Sequence, residues 1–170
     1  GEWASEDEQR RFVLEELSRR EYQFALIPDG DEIIEGRLLA ALLDIARNDL
    51  ADRVAVEWDT YWHSPEYVIR PREGFRPLLM LKVGAVRHEH LRHFEGDRLL
   101  VLPASYGIVH HLSYAGPAER MERKLESWSH RDEVVDGWFH RVYMGWRGNV
   151  LLRDLHPTHP GNFGFAEHIP

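Results

Sequence analysis

Apolar residues recur at helical spacing near the start of the chain and at strand spacing through much of the rest. Ser5 followed by Glu8 has the form of a capping box, and acidic residues sit where a helix dipole favours them. Val13, Leu14 and Leu17 share one face and predict a helix over 6–20 with those residues inward. Residues 22–27 are an apolar run closed by Pro28, too short for a helix, and read as a buried strand. Leu38, Leu39, Leu42, Leu43 and Ala46 predict a second amphipathic helix over 36–48, all five facing inward. From Arg53 the texture changes to strands, expected over 54–61, 67–70, 78–83, 99–102 and 108–114. Pro65, Pro71, Gly74, Pro77, Gly84, Gly96 and Pro103 punctuate these strands as turns. Pro117 suits the first turn of a helix reaching residue 128, and a further helix is expected over 131–143. The proline-rich tail from residue 154 is expected to be ordered where it docks on the body.

Helix, strand, acidic loop, helix, several strands and then helices spell an α/β chain, a sheet covered by helices. No repeat or Ser/Gly linker divides the 170 residues, so they read as one folding unit with two zones. An apolar content of 43% excludes a disordered chain. No run approaches the roughly 18 apolar residues of a membrane span, and no signal peptide opens the chain. A net charge of −8 argues against nucleic acid as a partner but leaves room for an anionic small molecule held by a local basic pocket or a metal. The absence of cysteine excludes disulfides, thiolate zinc sites and cysteine nucleophiles. It fits a reducing compartment, so the expected place is cytoplasmic, peripheral to a membrane at most. All eleven histidines lie from His63 onward. The chain opens on Gly1 and not on methionine, which reads as a fragment or a processed product.

Candidate chemistry begins in the run Asp29-Gly30-Asp31-Glu32. In extended chain the two aspartates project to one side, and the glycine between them lets a ligand approach the backbone. Convergent carboxylates at a strand's end make a hard-oxygen site for Mg²⁺ or Mn²⁺, shared with substrate phosphate oxygens. The plainer alternative is a turn followed by a helix cap. An EF-hand is excluded, because its later ligands are missing.

The helix carrying Gln9 and Arg10, followed by Phe24-Ala25-Leu26-Ile27-Pro28-Asp29-Gly30-Asp31-Glu32, resembles the inverting glycosyltransferases of family 2, which have the GT-A fold. Val109-His110-His111-Leu112-Ser113-Tyr114, with Lys124 beyond and Trp128-Ser129-His130 after it, is similar to the histidine strand, lysine and Ser-His pair of such enzymes. The resemblance implies a GT-A-like mixed sheet flanked by helices and incomplete at the N-terminus, since the first nucleotide-binding segment would precede residue 1. It implies a nucleotide-sugar donor, a carbohydrate or other hydroxyl acceptor, and Mn²⁺ or Mg²⁺. Asp31 would hold the metal, with Asp29 on its ribose or metal side and Gln9, Arg10 and Lys124 near the diphosphate. Residues 1–50 would form the metal and diphosphate side, and 51–170 the acceptor side. His110 and His111 point to opposite faces of a strand, so one of them reaches the metal, His111 being preferred. Inversion needs a carboxylate to deprotonate the acceptor, and Asp132 or Glu133 lies near the expected spacing; both also read as solvated helix-start residues. Trp58, Tyr61 and Trp62 offer flat faces for an acceptor sugar, although large aromatics more often build the core.

Two other readings compete. His88-Glu89-His90 with Glu95 and the distant His110 imitates the metal set of a cupin barrel, although Glu95 is followed at once by Gly96 where a strand, turn and strand are needed. A plainer view of 87–93 is a solvated edge of mixed charge. A carbohydrate-binding or interaction domain without catalysis would use the aromatic cluster alone. His156 and His159 resemble a metal pair but lie in the tail, where a docked segment is the simpler reading.

Overall fold

The computed structural model describes residues 5–128, 131–148, 153, 155–159 and 161–170. In chain order the elements are α1 (Glu6–Arg19), β1 (Phe24–Leu26), β2 (Glu32–Ile34), α2 (Gly36–Arg47), β3 (Arg53–Val56), β4 (Trp58–Arg70) and β5 (Leu78–Lys82). They continue with β6 (Arg87–His90), β7 (His93–Glu95), β8 (Leu99–Leu102), β9 (Val109–Ala115), α3 (Ala118–Ser127) and β10 (Phe165–His168). The chain is mixed α/β, with three sheets and accompanying helices, and no described helix is long and apolar enough to cross a membrane.

The Cα packing resolves two compact units. The first comprises Gly1–Gly30, Ile34–Glu57 and Phe75–Val109. Its sheet runs β1-β5-β3-β8, antiparallel except for the parallel β3–β8 pair. Leu38, Leu42 and Ile45 of α2 are buried, a stripe at helical spacing. The inward face is therefore narrower than expected: Leu39 and Leu43 are exposed, because they lie a hundred degrees round the helix from that stripe. Ser5 caps α1 through its side chain, accepting from the Glu8 N–H at 3.1 Å. Yet α1 buries no side chain fully, and Val13, expected inside, is 43% exposed. Its local signals suffice to form a helix, whereas its apolar face meets a groove instead of a closed core.

The second unit comprises Asp31–Ile33, Trp58–Gly74 and His110–Pro170. Its sheet has the order β10-β4-β9-β2. Here β4 runs unbroken through Pro65, which was expected to end a strand. Pro65 is exposed, at a position where the ladder can spare its missing N–H. The tail contributes β10, antiparallel to β4 with Ala166 opposite Ile69, and it inserts Leu155 and Phe163 into a core built on Trp62, Tyr114, Trp138 and Tyr143. The single helix expected over 131–143 is instead a 3₁₀ turn (Arg131–Glu133) and a π-helix (Phe139–Tyr143). Gly137, at φ +68°, lies between them in a conformation that continues neither.

Candidate functional site

In the first unit, α1 and the chain leaving β1 line a groove of about 960 Å³ that includes Gln9, Arg10, Leu14, Leu17, Asp29 and Phe94. Arg10 donates to Glu6 (2.6 Å) and to Asp29 Oδ1 (2.9 Å), with only 14% of its side chain exposed. Burial opposes its charge, but the bonds to Glu6 and Asp29 outweigh that cost and its pKa is raised. Arg92 reaches Asp29 Oδ2 at 3.4 Å and the Ile27 carbonyl at 2.9 Å. Asp29, expected on the ribose or metal side of Asp31, thus faces two guanidinium groups in this groove, which Gln9 and Arg10 also line.

Strands β6 and β7 form a hairpin that turns His88 inward. Its Nε2 lies 3.1 Å from the Leu91 carbonyl and its ring 5.0 Å from Phe94, while His90 lies against His93 at 4.4 Å. Glu95 is paired with Arg87. The metal set of a cupin is not assembled by these residues, each of which has taken another partner. The bulge between His88 and His90 separates the directions of the two rings.

In the second unit a polar cluster gathers residues from β2, β4, β9 and α3. Asp31 precedes β2 and accepts from Lys124 Nζ at 3.3 Å, with Arg120 at 3.9 Å from the same oxygen. His111 Nε2 lies 3.9 Å from the other oxygen, Asp31 Oδ1. Lys124 also donates to the Ser113 hydroxyl and sits 5.5 Å above the Tyr114 ring. Residues 111 and 113 share one face of β9 by strand alternation, which brings His111 and Ser113 to the same cluster. The Tyr114 ring is buried, and burial pushes its phenol pKa up.

His111 is fixed on two further sides. Its ring stacks on Trp58 at 4.1 Å with planes 7° apart, and its Nδ1 lies 3.3 Å from Thr60 Oγ1. That hydroxyl in turn bonds to Glu73. Burial raises the Glu73 carboxyl pKa, and the bond from Thr60 only partly offsets it.

The other expected residues lie elsewhere. His110 points away from His111, with its Nδ1 2.7 Å from the Tyr61 hydroxyl. Trp62 is fully buried against Trp138 and Tyr143, and Trp58 and Tyr61 are 8% and 7% exposed, so these rings are packed against neighbours and do not form an open sugar platform. Asp132 is 94% exposed on the 3₁₀ turn beside Arg131, and Glu133 is exposed next to it. Ser129 and His130 lie outside the described residues.

Sequence reasoning passed over Thr60, Glu73 and Arg120. Alternation along β9 was enough to couple Ser113 to His111; nothing local marks Glu73, which follows β4 in a Gly-Pro-rich turn region. Among the described residues no three His, Asp or Glu side chains form a metal-binding group. The divalent ion that the resemblance implies has two adjacent donors here, Asp31 and His111, a set that fits an ion sharing its remaining positions with phosphate oxygens and water. No family model, curated protein or solved structure matches the chain.

Proposed function

We propose that this chain belongs to the catalytic domain of an inverting glycosyltransferase resembling family 2, with a GT-A-like architecture. It would transfer a sugar from a nucleotide donor to an acceptor hydroxyl. The observation that carries the reading is the meeting of Asp31, His111, Lys124 and Ser113, drawn from three parts of the sequence that the resemblance singles out. In transfer, the acceptor oxygen bonds to the anomeric carbon while the bond from that carbon to the phosphate oxygen breaks, leaving its electron pair on the diphosphate. The acceptor's proton must pass to a carboxylate; the resemblance offers Asp132 or Glu133, which the exposed 3₁₀ turn holds apart from the cluster's own hydrogen bonds. Lys124 and Arg120 supply positive charge for the departing diphosphate. Asp31 and His111 would hold Mn²⁺ or Mg²⁺, whose contribution is Lewis-acid stabilisation of that leaving group.

The test is binding of the Mn²⁺–pyrophosphate complex, followed by Mn²⁺ electron paramagnetic resonance. Wild type is expected to bind it at least about tenfold more tightly than Asp31→Ala, a loss typical of removing a metal ligand or its support. His88→Ala should bind like wild type. Loss in His88→Ala with retention in Asp31→Ala would overturn the assignment, as would the absence of binding by wild type.

A further inference from the structure

We propose that the groove between α1 and β1 binds an extended peptide segment of another protein, which adds to the sheet beside β1 and carries a basic residue near Asp29 and apolar residues beyond it. The first observation is a free sheet edge. β1 stands at one end of the order β1-β5-β3-β8. The Ile27 N–H donates to the Leu79 carbonyl at 3.0 Å, and the Gln23 carbonyl accepts from the Val83 N–H at 2.9 Å. Residues of an antiparallel pair alternate in this respect, so Gln23, Ala25 and Ile27 turn their backbone groups toward β5. Phe24 and Leu26 therefore direct N–H and C=O to the other side, where no strand among the described residues pairs with them. Such an edge is a template for a further strand.

The groove beside that edge fits such a strand in length and in polarity. α1 lines it from Ser5 to Leu17, a rise of about 18 Å, which five or six extended residues span. Val13, Leu14 and Leu17 make one end of this face apolar, with Leu26 on the wall that β1 provides. Val13 and Leu26 are 43% and 39% exposed, apolar surface that a partner would cover. At the other end the cations are turned inward and the anions outward. The side chains of Arg10 and Arg92 are 14% and 10% exposed, those of Glu6 and Asp29 46% and 41%. A ligand therefore meets carboxylate there, which attracts lysine or arginine and repels an acidic chain. Antiparallel addition, the stronger pairing, sets the N-terminal end of the segment beside Asp29. The inference uses residues of the first unit alone and is independent of the glycosyl-transfer reading.

The test is titration of the whole chain with the blocked peptide acetyl-Lys-Val-Thr-Val-Thr-Val-amide, followed by ¹H–¹⁵N chemical shifts and amide exchange. Shifts are expected along α1 and β1, with exchange of the Phe24 and Leu26 amides slowed. Only alternate amides of an added strand face its neighbour. N-methylation of one alternate set in the peptide should therefore abolish binding, and methylation of the other set should be tolerated. Both are changes to the peptide, so the result does not depend on how a protein variant folds. Glutamate in place of the peptide's lysine should weaken binding about fivefold or more, and Val13→Asp, at an exposed position, about tenfold or more. No shift in α1 and β1 at millimolar excess of peptide overturns the proposal, as does equal tolerance or equal loss with the two methylated sets. Equal binding of the glutamate peptide overturns the charge assignment. Displacement of the peptide by pyrophosphate would make the groove an anion site and overturn it too. Slow exchange at Leu26 without peptide, in a chain whose sedimentation coefficient rises with concentration, would make a second copy the occupant and overturn it as well.

Discussion

His156 shows how far a single environment can move a side chain. Its Nδ1 accepts from the backbone N–H groups of His159 (2.9 Å) and Thr158 (3.2 Å), so the ring is held in its neutral form. Burial, with a smaller contribution from His159, lowers its pKa from 6.5 to about 4. A histidine depressed in this way stabilises the fold fully above its unfolded pKa. That stability is lost as pH falls from 6.5 toward 4, where the unfolded chain takes up a proton that the folded one refuses. The urea midpoint of wild type should therefore drop across this window, and the drop should be smaller in His156→Gln. Asp59 offers a contrasting case: it accepts from Arg70 (2.9 Å) and Arg72 (2.7 Å) with 10% of its side chain exposed. Burial opposes its charge, but the two guanidinium groups prevail and its pKa is lowered. Asp59→Ala leaves both cations without this partner and should cost about 2 kcal/mol in chemical denaturation, below the usual buried-pair loss because both arginines are partly solvated.

Among the elements, α2 separates what hydrophobic pattern encodes from what packing selects. Leu42 is fully buried and Leu43 is 45% exposed, although both belong to the apolar face read from sequence. Leu42→Ala should destabilise by about 2–5 kcal/mol in urea unfolding, and Leu43→Ala by no more than about 0.5 kcal/mol. Gly107 constrains the same helix from outside. It has φ +116°, and an added Cβ would lie 2.8 Å from Leu38 Cβ and 2.9 Å from the Leu38 nitrogen. Gly107→Ala must displace backbone as well as strain its own, and its measured loss should exceed about 1 kcal/mol. The strands tell a related story. Alternation and turn residues locate β5 and β8 closely, but Pro65 misleads, because whether a proline ends a strand depends on which side its missing N–H faces. The expected helix over 131–143 fails for the opposite reason: apolar spacing is satisfied, while Gly137 interrupts the path.

At the scale of the whole molecule, the chain passes between its two units at residues 30/31, 33/34, 57/58, 74/75 and 109/110. Stability should be graded within each unit. In the first, amides of α1, which buries no side chain fully, should exchange with deuterium faster than those of α2, which buries three leucine or isoleucine side chains. Equal protection of the two helices would show that the groove beside α1 is closed in solution. Within the second unit, the slowest amides are expected where β4 pairs with β10 over the aromatic core.

The sequence by itself determined the local elements: the capped α1, the stripe of α2, the short strands, α3 after Pro117, and the strand alternation that sets His111 beside Ser113. It also supplied the chemistry of the candidate site, since Asp31, His111 and Lys124 were each marked by neighbours close in the chain. Only the tertiary structure decided their partners. Lys124 lies 93 residues from Asp31, Thr60 lies 51 from His111, and Glu73 reaches the cluster across a turn. Tertiary packing likewise turned His88 into its hairpin, buried the face of Trp62, and made the tail a strand of the sheet. The reason is physical. Helical and strand periodicity arise from neighbours along the backbone, whereas a hydrogen bond between distant side chains depends on how whole elements pack, and no local spacing records that.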